Sequence, residues 1–158
     1  MKKLPYREGS WFAVPLRTGG YALGVVARMA PEGRIIVAYF FGRKYKEIPR
    51  TDVLKALEPV HAIKRLRLGD LGLVNGDWLI VGESEPWRRG DWPLPQFVRR
   101  DDLSKRAWRV SYSDSDPSKL IAEEGVPFDV KGLEVSDLYG YGAVELLLTK
   151  MLKSADEQ

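Results

Sequence analysis

The residues of this chain that could perform chemistry are few, and they do not form a recognised catalytic arrangement. His61 is the only histidine, and the 158 residues include no cysteine. An imidazole can act as a general base near neutral pH, but it needs a nucleophile to activate, and no serine-containing elbow lies near His61. Zinc would need three or four ligands from His, Asp and Glu, and that spacing is absent. We therefore predict a structural role for His61 and no metal site.

Three pairs of carboxylates are the next candidates for acid–base chemistry or cation binding. They are Asp101-Asp102, Asp114-x-Asp116 and Glu123-Glu124. The second pair lies in a run of short polar residues typical of a turn, and it lacks the glycine and terminal glutamate of a calcium loop. Gly140-Tyr141-Gly142 lacks the third glycine of a dinucleotide-binding loop. We interpret all three pairs as solvated turns, expect no cofactor, and predict that the protein is not an enzyme.

Two clusters combine cationic with aromatic side chains, and they are the predicted partner-binding residues. The first contains Arg43, Lys44 and Tyr45, and the second contains Trp87, Arg88, Arg89 and Trp92. Nucleic-acid surfaces use cations for phosphate and aromatic rings for base stacking, while protein interfaces are enriched in the same residue types. Composition leaves both uses open. A third interpretation is that the two tryptophans cover the hydrophobic core.

The charge of the chain is divided unevenly along the sequence. Residues 1–67 contain 14 Lys and Arg against 5 Asp and Glu, whereas residues 68–158 contain 11 against 17. Such asymmetry indicates either a basic face for an acidic partner or two halves that neutralise each other within one fold.

The elements that must position these residues are mainly strands. Short apolar runs at 11–16, 21–29 and 34–41, separated by glycine-containing turns, predict an antiparallel meander. Gly24 in the second run predicts a bulge or a sharp bend. The basic segment 42–49 is predicted to be an exposed connection, followed by a helical turn at 51–57 and a strand within 60–68.

The second half gives fewer strand signals and one clear helix. Asn75-Gly76 predicts a hairpin turn leading into a buried strand at 77–82, and residues 107–112 predict another strand. Apolar residues recur at helical spacing over 141–153, and residues 154–158 are expected to fray.

These elements predict a mainly β fold, a curved antiparallel sheet or small partly open barrel with a C-terminal α-helix; an α+β fold is the alternative. We expect a single domain over residues 1–158 with an ordered core at about 5–153. No apolar run is long enough to span a bilayer, and the absence of cysteine suits a reducing compartment, so we expect a cytoplasmic protein with no membrane partner.

Three stretches together resemble the immunity protein 26 family. They are Gly9–Leu16 followed by Gly20–Val26, then Asp77–Gly82 through Trp92–Phe97, and finally Gly140–Glu145. The order of these stretches along one chain carries the resemblance. It implies a mainly β bacterial protein, encoded beside polymorphic toxins, which neutralises a cognate toxin by stoichiometric protein–protein binding. The resemblance supplies no catalytic residues. The alternative is a small-barrel nucleic-acid-binding protein that uses the basic patches of the N-terminal half, although we consider nucleic acid the weaker candidate partner.

Overall fold

Two open β-sheets and three helices make up the protein in a computed structural model, which describes residues 3–153. The strands are β1 (Ser10–Pro15), β2 (Tyr21–Met29), β3 (Ile35–Tyr45), β4 (Ala62–Gly69), β5 (Leu79–Glu83), β6 (Phe97–Asp101), β7 (Arg106–Ser113), β8 (Asp116–Val126), β9 (Glu134–Val135) and β10 (Leu138–Tyr139). The helices are α1 (Thr51–Lys55), α2 (Leu71–Val74) and α3 (Tyr141–Leu152), with 3-10 turns at Pro59–His61 and Arg89–Asp91. The expectation for residues 154–158 lies outside the described residues.

The strand order confirms the mainly β prediction and refines it. The first sheet has six strands in the order β10-β4-β3-β2-β1-β5, and the second has four in the order β8-β7-β6-β9. Neighbouring strands are antiparallel except for the short pairs β10–β4 and β6–β9, which are parallel. Neither sheet closes on itself, so the fold is an open arrangement of two sheets.

The first sheet is buried on both of its faces. Phe12, Phe40 and Leu68 lie on one face with Trp78 and with α3, whose residues Val144, Leu148 and Leu152 are buried as the helical spacing predicted. Trp11, Leu23, Val25, Tyr39 and Phe41 lie in a second cluster with Leu54 of α1 and Trp92. Strands covered on both sides need apolar residues at successive positions, which explains the continuous apolar runs in β2 and β3.

Gly24 serves close packing, and the predicted bulge at this position is wrong. It pairs in register with Phe12 of β1 and Phe40 of β3, and the register shifts of β2 lie elsewhere. A Cβ atom at Gly24 would lie 2.6 Å from the Phe12 ring and 3.0 Å from the Phe40 ring. The glycine is therefore needed because two aromatic rings pack over the backbone there.

The predicted connection at 42–49 begins too early, because β3 continues to Tyr45. Tyr45 pairs with Tyr21 across an irregular stretch in which Arg43 has a positive φ of 144°. Three residues of β3 stand opposite a single residue of β2 there, so the basic cluster lies on a bulged strand end and not in a loop.

The Asn75-Gly76 hairpin prediction is also wrong. Asn75 caps the C-terminus of α2, and Gly76 takes a φ of 83°, the left-handed conformation that ends many helices. The strand that follows begins at Leu79 and pairs with β1, at the edge of the first sheet.

One of the acidic pairs interpreted as turns lies within a strand. Glu123 and Glu124 belong to β8, where they pair with Val110 and Arg109 of β7. Because most of β8 is exposed, its sequence lacks the apolar alternation that would have indicated a strand.

Trp78 connects the core to α3, and its removal should be costly. It is 1% exposed, stacks on Phe12 at 5.4 Å between ring centroids, and donates a 2.9 Å hydrogen bond from Nε1 to Glu145. We expect Trp78→Ala to lower the free energy of unfolding by about 3–5 kcal/mol in denaturant titrations. Leu79→Ala is the matched control, since Leu79 is 49% exposed, and it should cost less than about 1 kcal/mol. Equal losses for the two variants would contradict this assignment.

Candidate protein-binding surface

The loop between β5 and β6 is anchored by Trp92, which belongs to the core. Trp92 is 7% exposed and makes edge-on contacts with Trp11, Tyr39 and Phe41, with ring centroids 5.1–6.1 Å apart. Its backbone carbonyl accepts a 2.9 Å hydrogen bond from the buried Arg28. Trp92 therefore fixes the loop on the first sheet. It packs on the hydrophobic core, which is one of the interpretations that the sequence left open.

Trp87 is half-buried on top of Trp92. The two indole rings stack with centroids 5.8 Å apart, and Nε1 of Trp87 donates a hydrogen bond to Glu8 at 3.2 Å. Gly9 lies directly against the same ring, where a Cβ atom would come within 3.1 Å. The position of Trp87 is thus set from three sides, and the face turned towards Trp92 is covered.

The two arginines of the loop differ in their surroundings. Arg89 forms ion pairs with Glu8 at 2.8 Å and with Asp114, and it also donates to the Asp114 backbone carbonyl. Arg88 is exposed, and within residues 3–153 its side chain has no hydrogen bond or ion pair. Arg89 consequently ties the loop to the turn after β7, whereas Arg88 projects from a rigid support with its charge available.

The basic cluster of β3 borders the same aromatic core. Tyr45 is partly buried against the cluster that contains Trp11, Phe41 and Trp92, and Trp87 packs there too. Arg43 is exposed and its guanidinium lies 5.3 Å from the centre of the Tyr45 ring. Lys44 is half-buried, with Nζ 3.5 Å from the Thr18 hydroxyl. The two predicted patches therefore rest on one shared cluster.

A cavity of about 450 Å³ opens beside this cluster. It lies between α1, which contributes Leu54 and Lys55, and the loop, which contributes Glu85, Pro86 and Trp92. Its lining mixes apolar and charged groups, as the surfaces of protein-recognition sites do. The predicted nucleic-acid use has less support, since Trp92 is buried and Tyr45 and Trp87 are partly buried against the core, which leaves less ring surface for base stacking.

Part of the charge asymmetry is balanced by ion pairs within residues 3–153. Basic residues of the first half pair with carboxylates of the second half in four places: Arg7 with Glu83 and Glu85, Arg17 with Glu145, Arg28 with Asp114, and Lys64 with Glu134. Four of the 14 basic residues within 1–67 thus have their charge balanced within the fold.

The residues considered for catalysis hold structural positions. His61 accepts a 3.0 Å hydrogen bond at Nδ1 from the backbone N–H of Glu58, which caps a 3-10 turn. Hydrogen bonding to Arg28 lowers the pKa of Asp114, and Arg89 adds to the effect. Within the described chain, no three His, Asp or Glu side chains come together as metal ligands.

Sequence reasoning missed that Glu8 and Asp114 hold Arg89 in place. They lie 81 and 25 residues from it, so no local pattern could connect them. The spacing of Trp87 and Trp92 indicated their proximity, and the burial of Trp92 agrees with the interpretation that the tryptophans cover the core.

Comparison with known protein families gives a match. A family model described as Immunity protein 26 matches residues 7–109, which is more than half of the chain and includes both predicted patches. Neither the curated proteins nor the solved structures include a significant match. No helix within residues 3–153 has the length and apolar character needed to cross a membrane.

The two loop arginines should respond differently to truncation. We expect Arg89→Ala to lower the free energy of unfolding by about 1 kcal/mol after allowance for solvent screening, because it breaks contacts to both Glu8 and Asp114. Arg88→Ala should leave the melting temperature unchanged, because no such contacts are lost. Thermal melts of the two variants side by side test this. If Arg88→Ala proved as destabilising as Arg89→Ala, Arg88 could not be a free surface group.

Acid should weaken the attachment of the loop through Asp114. Because its pKa is lowered in the folded state, Asp114 stabilises the protein above its unfolded pKa of about 3.9, and this contribution disappears as the pH falls through the lower, folded value. Wild type should therefore exceed Asp114→Asn in stability at pH 7, and the difference should shrink below about pH 4. Denaturant titrations over this range measure it, and a difference independent of pH would refute the assignment.

Proposed function

The chain belongs to the immunity protein 26 family, and on this premise we propose that it neutralises a cognate bacterial toxin domain by binding it in a stoichiometric complex. The family match is the observation that carries the proposal. The complex would form in the bacterial cytoplasm, where the toxin threatens the cell that makes it, and residues 5–153 would act as one domain.

Binding without catalysis agrees with the way polar groups are used. His61 caps a turn, Asp114 holds two arginines, and Glu145 accepts hydrogen bonds from Trp78 and Arg17. A catalytic carboxylate or imidazole has to reach a substrate, whereas these groups already serve partners inside the fold.

We propose that the surface around Arg88, together with the rim of Trp87 and the Arg43–Tyr45 strand end, contacts the toxin. Trp92 and Arg89 lie beneath or beside it as supports. A partly exposed tryptophan next to an exposed arginine on a fixed backbone suits a binding hot spot, since little backbone conformational entropy is lost when a partner docks.

A toxin encoded beside this chain provides the test. The purified pair should form a 1:1 complex in calorimetry, and coexpression should restore growth to cells that produce the toxin. Arg88→Ala should weaken the complex by about 2 kcal/mol, or roughly 30-fold, without lowering the melting temperature. Arg106→Ala, at an exposed arginine of β7, is the control and should bind as wild type does.

The outcomes separate the function from the surface. A toxin that binds wild type and Arg88→Ala equally would remove the loop from the interface, and would leave the acidic stretch after residue 111 as one remaining candidate. Failure of the wild-type protein to bind or protect would overturn the proposed function itself.

A further inference from the structure

A groove distinct from the tryptophan loop runs past the turn between β2 and β3. A cavity of about 690 Å³ on one side and one of about 500 Å³ on the other share Pro31, Glu32 and Arg34 as lining residues. Volumes of this size are typical of sites that take a ligand or a partner side chain.

One part of the groove is an apolar trough. Leu4, Leu71 and Val74 line the larger cavity, and Leu71 is 60% exposed at its rim. Leu71 and Val74 come from α2, which is a single short turn, so α2 presents its outward residues to the groove. Solvent exposure of a leucine here leaves apolar surface available for a partner.

Asp70 lies at the inner wall of the same cavity and is 5% exposed. Its Oδ2 atom accepts a 2.7 Å hydrogen bond from the Tyr6 hydroxyl and a 2.8 Å hydrogen bond from the Arg34 backbone N–H. Burial, reinforced by Asp70, raises the pKa of Tyr6, so Tyr6 keeps its proton and remains the donor. The two donors fix Oδ2 and with it the orientation of the Asp70 carboxylate.

The other oxygen of Asp70 is the unusual feature. Oδ1 accepts no hydrogen bond from residues 3–153. In that part of the chain every fully buried side-chain oxygen has a hydrogen-bond partner, so an oxygen without a partner is not fully buried. Oδ1 must therefore reach the accessible space, and the cavity is the space that Asp70 lines. No side-chain nitrogen of Lys, Arg or His in residues 3–153 lies within 4.0 Å of the carboxylate. A buried carboxylate without a cation is costly, which makes a complementary ligand favourable.

The charges along the groove point in the same direction. Glu32 and Asp116 add two further carboxylates, and among the lining residues that fall within 3–153 Arg34 is the one cation. Although residues 1–67 are strongly basic overall, this groove is acidic. A partner with positive charge and aliphatic length complements both its charge and its apolar wall.

We propose that the groove receives a lysine or arginine side chain of the partner protein, with its aliphatic stem on Leu71 and Val74 and its cationic head on Oδ1 of Asp70. Glu32 and Asp116 accept neighbouring cations of the same basic segment. That the occupant belongs to the toxin rests on the proposed function, whereas the preference for a cation with an alkyl stem does not.

Butylammonium is the probe that tests the preference by itself. Titrated into the isotopically labelled full chain, it should cause saturable shifts at the amides of Arg34, Leu71 and Val74 at millimolar concentrations. Butanol, which has the same stem and no charge, should bind at least tenfold more weakly. Asp70→Asn keeps an oxygen acceptor for Tyr6 and Arg34, and it should reduce butylammonium binding to the level of butanol.

Leu71→Ser provides a second variant that leaves Asp70 and its hydrogen bonds in place. It should weaken butylammonium binding by removing the exposed part of the apolar wall, without a change in melting temperature. Equal binding of butylammonium and butanol, or no binding of either at these amides, would overturn the proposal.

The toxin complex then tests the occupant. Asp70→Asn should weaken it at least tenfold, while Asp77→Asn, an exposed carboxylate outside the groove, should leave it unchanged. If the toxin bound wild type and Asp70→Asn equally, the groove would be excluded and the proposed function would stand. If the toxin did not bind wild type at all, the proposed function would fail, and the butylammonium result would still decide whether the groove takes a cation.

Discussion

Two buried guanidinium groups hold the second sheet and the tryptophan loop on the first sheet. Arg28 of β2 and Arg67 of β4 lie on either side of Val37, which packs against Phe97 and Val110 of the second sheet. Arg28 donates to the carbonyls of Ala27 and Trp92 and to the carboxylate of Asp114. A small apolar contact is thus flanked by two cations that bind backbone oxygens.

Arg67 shows why this arrangement is sensitive. It donates to the carbonyls of Pro117 and Ser136, and its guanidinium lies 3.8 Å from the centre of the Tyr112 ring. Burial lowers its pKa, which reflects the free energy needed to remove the cation from water. The carbonyl groups that accept hydrogen bonds from Arg67 offset this desolvation cost only while both sheets keep their positions. The relative position of the two sheets therefore depends on hydrogen-bond geometry as well as on hydrophobic burial.

The sequence predicted those parts of the fold in which local patterns and burial agree. β2 was predicted at its observed bounds because its apolar run lies between two glycine turns, and α3 because Val144 and Leu148 recur at helical spacing. β8 was missed because most of its residues are exposed, so its pairing with β7 leaves no apolar pattern in the sequence. The Asn75-Gly76 dipeptide misled because it serves helix ends as well as hairpins. The sequence indicated that residues 87–92 form an irregular loop. It could not show that Arg89 is paired and Arg88 is not, because the partners of Arg89 lie far away along the chain. The burial of Asp70 could not be predicted from the sequence, because its contacts are with Tyr6 and with the turn at Arg34, both distant along the chain.

The stacking of the loop on the core has an optical consequence. Ring centroids of Trp11 and Trp92 lie 5.9 Å apart and those of Trp92 and Trp87 lie 5.8 Å apart, so three indoles form one chain of contacts. Indoles at such separations couple their electronic transitions, and the resulting near-ultraviolet circular dichroism depends on their mutual orientation. Trp87 contributes to this signal only while the loop is seated. The protein therefore contains its own spectroscopic reporter of loop position, which needs no attached label.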